Sequence, residues 1–489
     1  MFNASARRDR PAAWPISLLG IPFDNVTTAE TVDHVAALIE SGRPHYLVTA
    51  NVDFLIQARE DVELQRILIE AELVLCDGTP LLWASRGLGN ALPERVAGSD
   101  LVPQLLAAAA AKGHRVFLLG GGPDVAVQAA AKLQAKHPTL ATEVYSPPFS
   151  ALLEMENAEI IRRVADARPD ILLVGFGCPK QEKWIAMHYR QLGVPVVIGV
   201  GATLDFLAER VKRAPVWMRQ TGTEWLFRLA QEPRRLARRY ANDLFHFLPA
   251  LARQWLQGRA LRRKLIGRST LTTAASRDWR QVRITGHFGA ALLERENALF
   301  REITTEGRRH CMLDLASTLS LDSTALAVLT QWRGRLAAGG RELVLLEPSA
   351  PVLQVLKDAR LTSHFRIAVP APHPTGANVG DEPPPSMVIP PYPGGHTVGW
   401  QGELTAANAE AVWNQTLRHL SQVGSPPRGT FIIDLSRLRF IDSTGAATMA
   451  RVRHWARQLR KDVRFLGSRP TVRNVLRLAK LGNLVETRR

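Results

Sequence analysis

The residue of this chain best suited to general-base chemistry is Asp77, which closes an apolar run and precedes Gly78. A carboxylate at a strand end points into the cleft where parallel sheets bind ligands. Its plainer role is an N-cap for the next helix. Thr49 and Asn51 end the preceding apolar run, where they can hydrogen-bond a sugar or nucleotide, or cap a helix. In Gly177-Cys178-Pro179-Lys180-Gln181-Glu182-Lys183-Trp184, the polar trio Lys180, Gln181 and Glu182 opens a helix at the same edge and suits nucleotide binding. A surface helix with a Glu–Lys pair is the alternative. Gly120-Gly121-Gly122 would let a phosphate approach a helix N-terminus, and a tight turn explains it equally well.

No Asp-x-Asp pair occurs in the chain. Sites that neutralise a nucleotide-sugar diphosphate with Mg²⁺ or Mn²⁺ need clustered carboxylates. Arginine can do the same work through paired contacts to phosphate oxygens. Arginines crowd the segment from Arg210 to Lys264, with Arg213, Arg219, Arg228, Arg234 and Arg235 among them. Two or three are expected to reach the site; the rest form a solvated basic face. No metal and no other cofactor is expected.

These residues need a scaffold that brings strand ends together. His45–Ala50, Leu73–Cys76, Arg115–Leu119, Ile171–Val174 and Val196–Ile198 read as short apolar strands, each closed by polar or glycine residues and alternating with helical patterns. That is the signature of a Rossmann-like α/β domain with a parallel sheet. Beyond it, Trp217–Leu229 and Leu244–Trp255 interleave aromatic and basic residues as amphipathic helices. Such helices suit an anionic membrane surface, or pack their apolar stripe on the protein's own core. The first segment fits both equally; the second favours the membrane or a protein partner.

The 489 residues suffice for about three domains. The formal net charge of +17 calls for an anionic partner: nucleic acid, lipid or phosphorylated substrate. The basic residues sit among aromatics and no nucleic-acid motif accompanies them, so nucleic acid is not expected. The three cysteines are scattered and lack metal-ligand spacing, which fits a reducing compartment. Met1–Pro15 lacks the apolar core of a secretory leader, and no run of about 18 apolar residues is present. A cytoplasmic protein, peripheral at the inner face of the membrane, is expected.

The last third repeats itself. LDLASTLSLDSTALAV near Leu313 matches IDLSRLRFIDSTGAAT near Ile433, and the offset of 120 residues between Asp322 and Asp442 recurs between Leu361 and Leu481. Two ungapped copies of one small α/β unit are implied. The proline-rich stretch Pro370–Pro393 reads as their linker.

TANVDFLIQARED, VLCDGTPLLWASRGLG, ERVAGSDL, GCPKQEKWI and the run from Gly199 to Tyr240 together resemble the WecG/TagA/CpsF glycosyltransferases, over about Ile16 to Tyr240. The resemblance implies an inverting, metal-independent transfer from UDP to an undecaprenyl-diphosphate-linked sugar in cell-surface polymer synthesis. The donor sugar would be N-acetylmannosamine, its uronate or glucose. It makes Asp77 the base, with Thr49 beside it in catalysis. It matches Asn51 and Gln181 to the family's motif residues; Arg95, Glu182, Gly120 and Gly177 stand with them as candidate substrate-binding residues. The appendage arginines Arg213, Arg219, Arg228, Arg234 and Arg235 join them without individual roles. One departure is Gly222-Thr223-Glu224, where the family usually reads GLE. Each repeat resembles a STAS domain, whose signature D-S-[ST]-G is met by Asp442–Gly445 and, without the glycine, by Asp322–Ala325. That makes Ser443 and Ser323 candidate phosphorylation sites, with plain helix capping as the alternative. A regulatory protein could bind these units. The alternative for the whole chain is a STAS-based scaffold with a degenerate transferase half. Expected boundaries are 15–210 for the transferase, 211–265 for the basic appendage, 278–369 and 394–489 for the two units, and 370–393 for the linker.

Overall fold

This computed structural model describes residues 14–122, 124–211, 213–264, 269–305, 309–368, 396–422 and 429–485; side chains at 216, 220, 235, 258–264, 304 and 305 fall outside that description. The proline-rich stretch 370–393 therefore lies outside the described residues, as does the side chain of Arg235.

A buried hairpin, β1 (Ile16–Leu18) and β2 (Ile21–Phe23), comes first. Then follow α1 (Thr28–Ser41), β3 (His45–Ala50), α2 (Val52–Glu60), α3 (Val62–Glu70), β4 (Leu73–Cys76), α4 (Thr79–Leu88), α5 (Gly98–Lys112), β5 (Arg115–Gly120), α6 (Val125–Lys136), β6 (Ala141–Tyr145), α7 (Asn157–Ala167), β7 (Ile171–Gly175), α8 (Lys180–Leu192), β8 (Val196–Gly199) and α9 (Thr203–Leu207). Six strands form one parallel sheet in the order β4-β3-β8-β7-β5-β6. The period-2 alternation of side chains divides their residues between two cores. Leu47, Leu75, Leu118, Leu173 and Ile198 face one side, while Val48, Val74, Leu119, Val174 and Val197 face the other. The sheet has one strand more than the sequence suggests. Edge strand β6 is half exposed and carries Thr142 and Glu143, so it lacks an apolar run.

Local chemistry fixes the helix ends. Thr27 and Glu30 form a reciprocal capping box at α1, and Gly42 closes it in the left-handed conformation. Gly120, with φ +102°, sits where a side chain would strike the Gly175 carbonyl. Its lack of a Cβ lets the ends of β5 and β7 meet.

The appendage is α10 (Val216–Gln220), α11 (Glu224–Gln231) and a single 32-residue helix α12 (Pro233–Lys264) that runs through Pro249. The apolar stripe of α12 is divided. Phe247, Ala250, Leu251 and Trp255 pack on the protein's own core, while Leu244, Phe245, Leu248 and Leu256 are exposed. The expectation that 244–255 as a whole meets a membrane or partner is thus corrected: every third or fourth residue faces inward, as helical periodicity demands. No helix among the described residues is long and apolar enough to cross a membrane.

The first repeat comprises β9 (Thr270–Ala275), β10 (Trp279–Phe288), α13 (Ala290–Arg295), α14 (Asn297–Thr305), β11 (His310–Asp314), β12 (Thr318–Leu321), α15 (Ser323–Ala338), β13 (Leu343–Leu346), α16 (Ala350–Asp358) and β14 (Arg366–Ala368). Its sheet order is β12-β10-β11-β13-β14, parallel, with β9 antiparallel on β10. The second comprises β15 (Thr397–Gly399), β16 (Gly402–Leu404), α17 (Ala409–Gln422), β17 (Thr430–Asp434), β18 (Leu438–Ile441), α18 (Ser443–Gln458), β19 (Asp462–Leu466) and α19 (Pro470–Leu478). Its pairings β15-β17-β19 and β16-β18 reproduce the same parallel arrangement. Both signature aspartates cap their helices: Asp322 accepts from Thr324 N–H and Ala325 N–H, and Asp442 from Gly445 N–H.

Candidate active site

Sheet order places the ends of β4 and β3 side by side, so Asp77 and Asn51 open into one cavity of about 770 Å³. Asp77 donates its backbone N–H to the Ala50 carbonyl at 2.9 Å, which fixes its position. It does not cap α4, whose N-cap is Gly78. Among the described residues its carboxylate takes no hydrogen bond. Burial raises its carboxyl above the ordinary carboxylate value; Arg95 and Arg228 pull it down, and Glu224 and Asp100 push it up. That environment suits a proton acceptor. Asn51 lines the same cavity and also caps α2 through the Phe54 N–H.

Beside Asp77 the arginines are organised by two carboxylates. Arg95 donates to Glu224 Oε2 and Asp100 Oδ2, each at 2.8 Å. Arg213 reaches Asp100 Oδ1 at 2.6 Å, and Arg219 reaches the same oxygen at 3.4 Å. Arg228 holds Glu224 Oε1 at 2.8 Å from the next turn of α11. Four guanidinium groups thus share two carboxylates. The Nε atoms of Arg213 and Arg219 are buried without a partner among the described residues. Arg95 and Arg228 line the cavity, whereas Arg213 and Arg219 stand behind Asp100. Arg234 is exposed at the start of α12 and does not line the cavity.

The other sequence-derived candidates lie elsewhere. Gly120 ends β5, four strands from β4, which at about 4.8 Å per strand is nearly 20 Å along the edge. Gln181 is buried; its Oε1 accepts from Gly177 N–H and Gly201 N–H, both at 3.1 Å, and its Nε2 donates to Glu182 at 2.7 Å. Gln181 thus joins the turns after β7 and β8 and does not line the cavity. Glu182 is also buried, and burial pushes its carboxyl up to about 7. Gly177 has φ +79° with open space around a would-be side chain, so its need is conformational. Thr49 is buried with its hydroxyl 3.5 Å from the Gly199 carbonyl. Ser443 and Ser323 do not line the cavity and are engaged within the chain. Ser443 is buried and donates Oγ–H to Glu63 at 2.8 Å, and Ser323 Oγ accepts from Gln254 at 2.9 Å.

Several residues of the site escaped the sequence reading. Glu224, which lines the cavity, and Asp100, which holds Arg95, are acids among arginines, a pattern visible in the strings GTEWLFR and ERVAGSD. Asp243 on α12 also faces the cavity; burial, then Asp53, pushes its carboxyl up to about 6. The rim is apolar and open: Trp83 is 58% exposed, Trp225 44%, Leu244 56% and Leu248 51%. A polar floor under an apolar mouth suits a substrate with a charged head and a greasy tail.

The model of the glycosyl transferase WecG/TagA/CpsF family matches residues 16–261. The chain belongs to that family. The match includes almost all of α12, so the appendage helix is part of the transferase. A second model, described as Mlab, STAS domain, matches residues 395–486. The chain is also similar to the N-acetylglucosaminyldiphosphoundecaprenol N-acetyl-beta-D-mannosaminyltransferases of Staphylococcus aureus strains MW2, NCTC 8325 / PS 47 and COL. Each is 29% identical over 241 residues, which is 49% of this chain and 93% of the relative. This chain is therefore a WecG/TagA/CpsF glycosyltransferase that carries a STAS domain.

Proposed function

We propose that this glycosyltransferase moves N-acetylmannosamine from UDP onto an N-acetylglucosaminyl-diphosphate-undecaprenol acceptor, by single displacement with inversion. The observation that carries the reading is the shared cavity in which a desolvated Asp77 faces Arg95 and Arg228 beneath an apolar rim. The names of the S. aureus relatives favour that sugar and acceptor over the uronate or glucose. In this reading Asp77 takes the proton of the acceptor hydroxyl, whose oxygen attacks the anomeric carbon as the UDP oxygen departs on the opposite side. Arg95 and Arg228 stabilise the charge growing on the diphosphate; Arg213 and Arg219 hold Arg95 in place through Asp100, and Glu224 holds Arg228. Gln181 acts from behind the site by joining two strand-end turns. Arg95 and Arg228 beside Asp77 support a site that works without a divalent cation. Trp83, Trp225, Leu244 and Leu248 would rest against the inner face of the membrane, where the polyprenyl tail resides, with appendage arginines on anionic headgroups.

The test is transfer of labelled sugar from a panel of UDP-sugars to a synthetic N-acetylglucosaminyl-diphosphate lipid, with and without EDTA. Turnover from UDP-N-acetylmannosamine, unchanged by chelator, is expected. Turnover that stops with EDTA and returns with Mn²⁺ would contradict the arginine cradle.

A further inference from the structure

Two carboxylates of the catalytic cavity have no part in the chemistry described above. Asp53 stands in the first turn of α2, and Asp243 lies well inside α12, which packs on α2. Asp53 has a local reason to be acidic, because a helix N-terminus favours negative charge. Asp243 has none. It is 6% exposed, and its Oδ1 is buried without a hydrogen-bond partner among the described residues. The cations that act on it, Arg239 and His246, are both exposed, and among the described residues neither forms an ion pair with it. The like charge of Asp53 acts on it more strongly than either. A buried carboxylate oxygen needs a donor, and here that donor must come from outside the chain.

Charge decides what fits. Two acids repel phosphate and carboxylate groups, so the diphosphates of both substrates belong with Arg95 and Arg228. A neutral polyol suits the pair, since each hydroxyl can donate one O–H to a carboxylate oxygen. The next two turns of α12 supply Phe247, Leu248 and Leu251 to the apolar wall of the same cavity. A substrate with a lipid tail on that wall passes Asp243; a nucleotide sugar has no tail to place there.

We infer, resting on the glycosyl-transfer reading of this cavity, that Asp243 together with Asp53 accepts hydrogen bonds from hydroxyl groups of the acceptor's sugar. The pair thereby distinguishes a sugar-bearing lipid diphosphate from a bare one. The appendage helix then supplies part of the acceptor specificity as well as part of the apolar rim.

Trp83, Trp225 and Trp255 line the cavity, so the tryptophan fluorescence of the full chain reports its filling. The test is titration with a synthetic short-chain N-acetylglucosaminyl-diphosphate lipid, and separately with the same lipid diphosphate lacking the sugar. The wild type is expected to bind the sugar-bearing lipid about tenfold more tightly, the worth of one hydrogen bond to a charged group. Asp243→Ala should abolish that preference, and the isosteric Asp243→Asn should reduce it. Affinity for the bare lipid diphosphate should be unchanged or raised in both, because a negative charge has gone. A merely structural role would weaken both lipids alike, and that result in Asp243→Asn would overturn the inference. So would a wild type that binds both lipids equally, or variants that keep the full preference. The titration needs neither donor nor turnover. A preference that depends on Asp243, found without sugar transfer, supports the inference and contradicts the catalytic reading alone.

Discussion

The two repeats share a topology yet join the transferase in different ways. The first has no core of its own: Phe288, Phe300, Leu329 and Trp332 belong to the same buried cluster as Ile16, Leu18, Phe54 and Trp184 of the transferase. Its α15 covers the β1–β2 hairpin. Gly20, with φ +91°, allows the hairpin turn to approach the Ala359 carbonyl, where a side chain would clash. The second repeat keeps a separate core around Trp400, Ile433 and Phe465. It is fastened mainly by polar contacts. Glu63 accepts from the N–H and Oγ–H of Ser443, Arg66 pairs with Glu403, and Asn474 donates to the Glu60 carbonyl. Lys183, two residues beyond Gln181, pairs with Glu63 at 2.9 Å, which places one carboxylate between the signature serine and a transferase motif. One fold can therefore serve as a structural wall in one copy and as a docked, separable module in the other. Ser443 also has an internal partner, so the face expected to receive a phosphoryl group or a regulator is occupied by the transferase.

This contrast is sharpened first by truncating the shared core. Trp332→Ala should cost about 3–5 kcal/mol and lower the melting of transferase and first repeat together. A melt in which only the repeat is lost would break the contrast. Glu63→Ala should cost about 1–3 kcal/mol, since it strands Ser443 and leaves Lys183 with Asp61 alone. Its effect should be confined to the second repeat, visible as earlier hydrogen exchange in α18 with β3–β8 unchanged. A smaller change is expected for Gln254→Ala, about 1 kcal/mol, which frees Ser323 without undoing the common core.

The stability of the second repeat should also depend on pH. Burial, reinforced by Glu63, pushes the Asp442 carboxyl from 3.8 up to about 7, against the pull of the Gly445 and Ala406 N–H groups and Arg66. The folded chain therefore holds the proton more tightly than the unfolded chain. The associated stabilisation is complete below pH 3.8 and is lost as pH rises through about 7. The second repeat should melt at a higher temperature at pH 5.5 than at pH 8.5; the reverse order would refute the sign.

Much of this was legible in the sequence because it is local. Apolar runs ended by Asn51, Asp77, Gly120, Gly175 and Gly199 gave five strands of the sheet, and a constant 120-residue offset gave the repeats. Asp77 and Asn51 come together as the strand-end argument requires, and Arg95 and Arg228 line the same cavity. The remainder depends on which faces meet, which composition does not encode. Gln181 and Glu182 read as polar groups at a helix start, yet burial makes them a brace between two turns. Ser443 and Ser323 read as phosphorylation candidates or helix caps, yet Glu63 and Gln254, 380 and 69 residues away, claim them. Arg234 has the composition of the cradle but lies on the outer side of α12.

The role of Asp77 is tested most directly by replacing its carboxylate with an amide. Asp77→Asn should lower turnover by about 10²–10⁴-fold while UDP binding stays within a few-fold of wild type. The wild-type rate should fall with decreasing pH around a pKa above the ordinary aspartate value. Asp243→Asn serves as the control for a second desolvated acid in the same cavity. Near-normal turnover by Asp77→Asn, with loss instead in Asp243→Asn, would contradict the account.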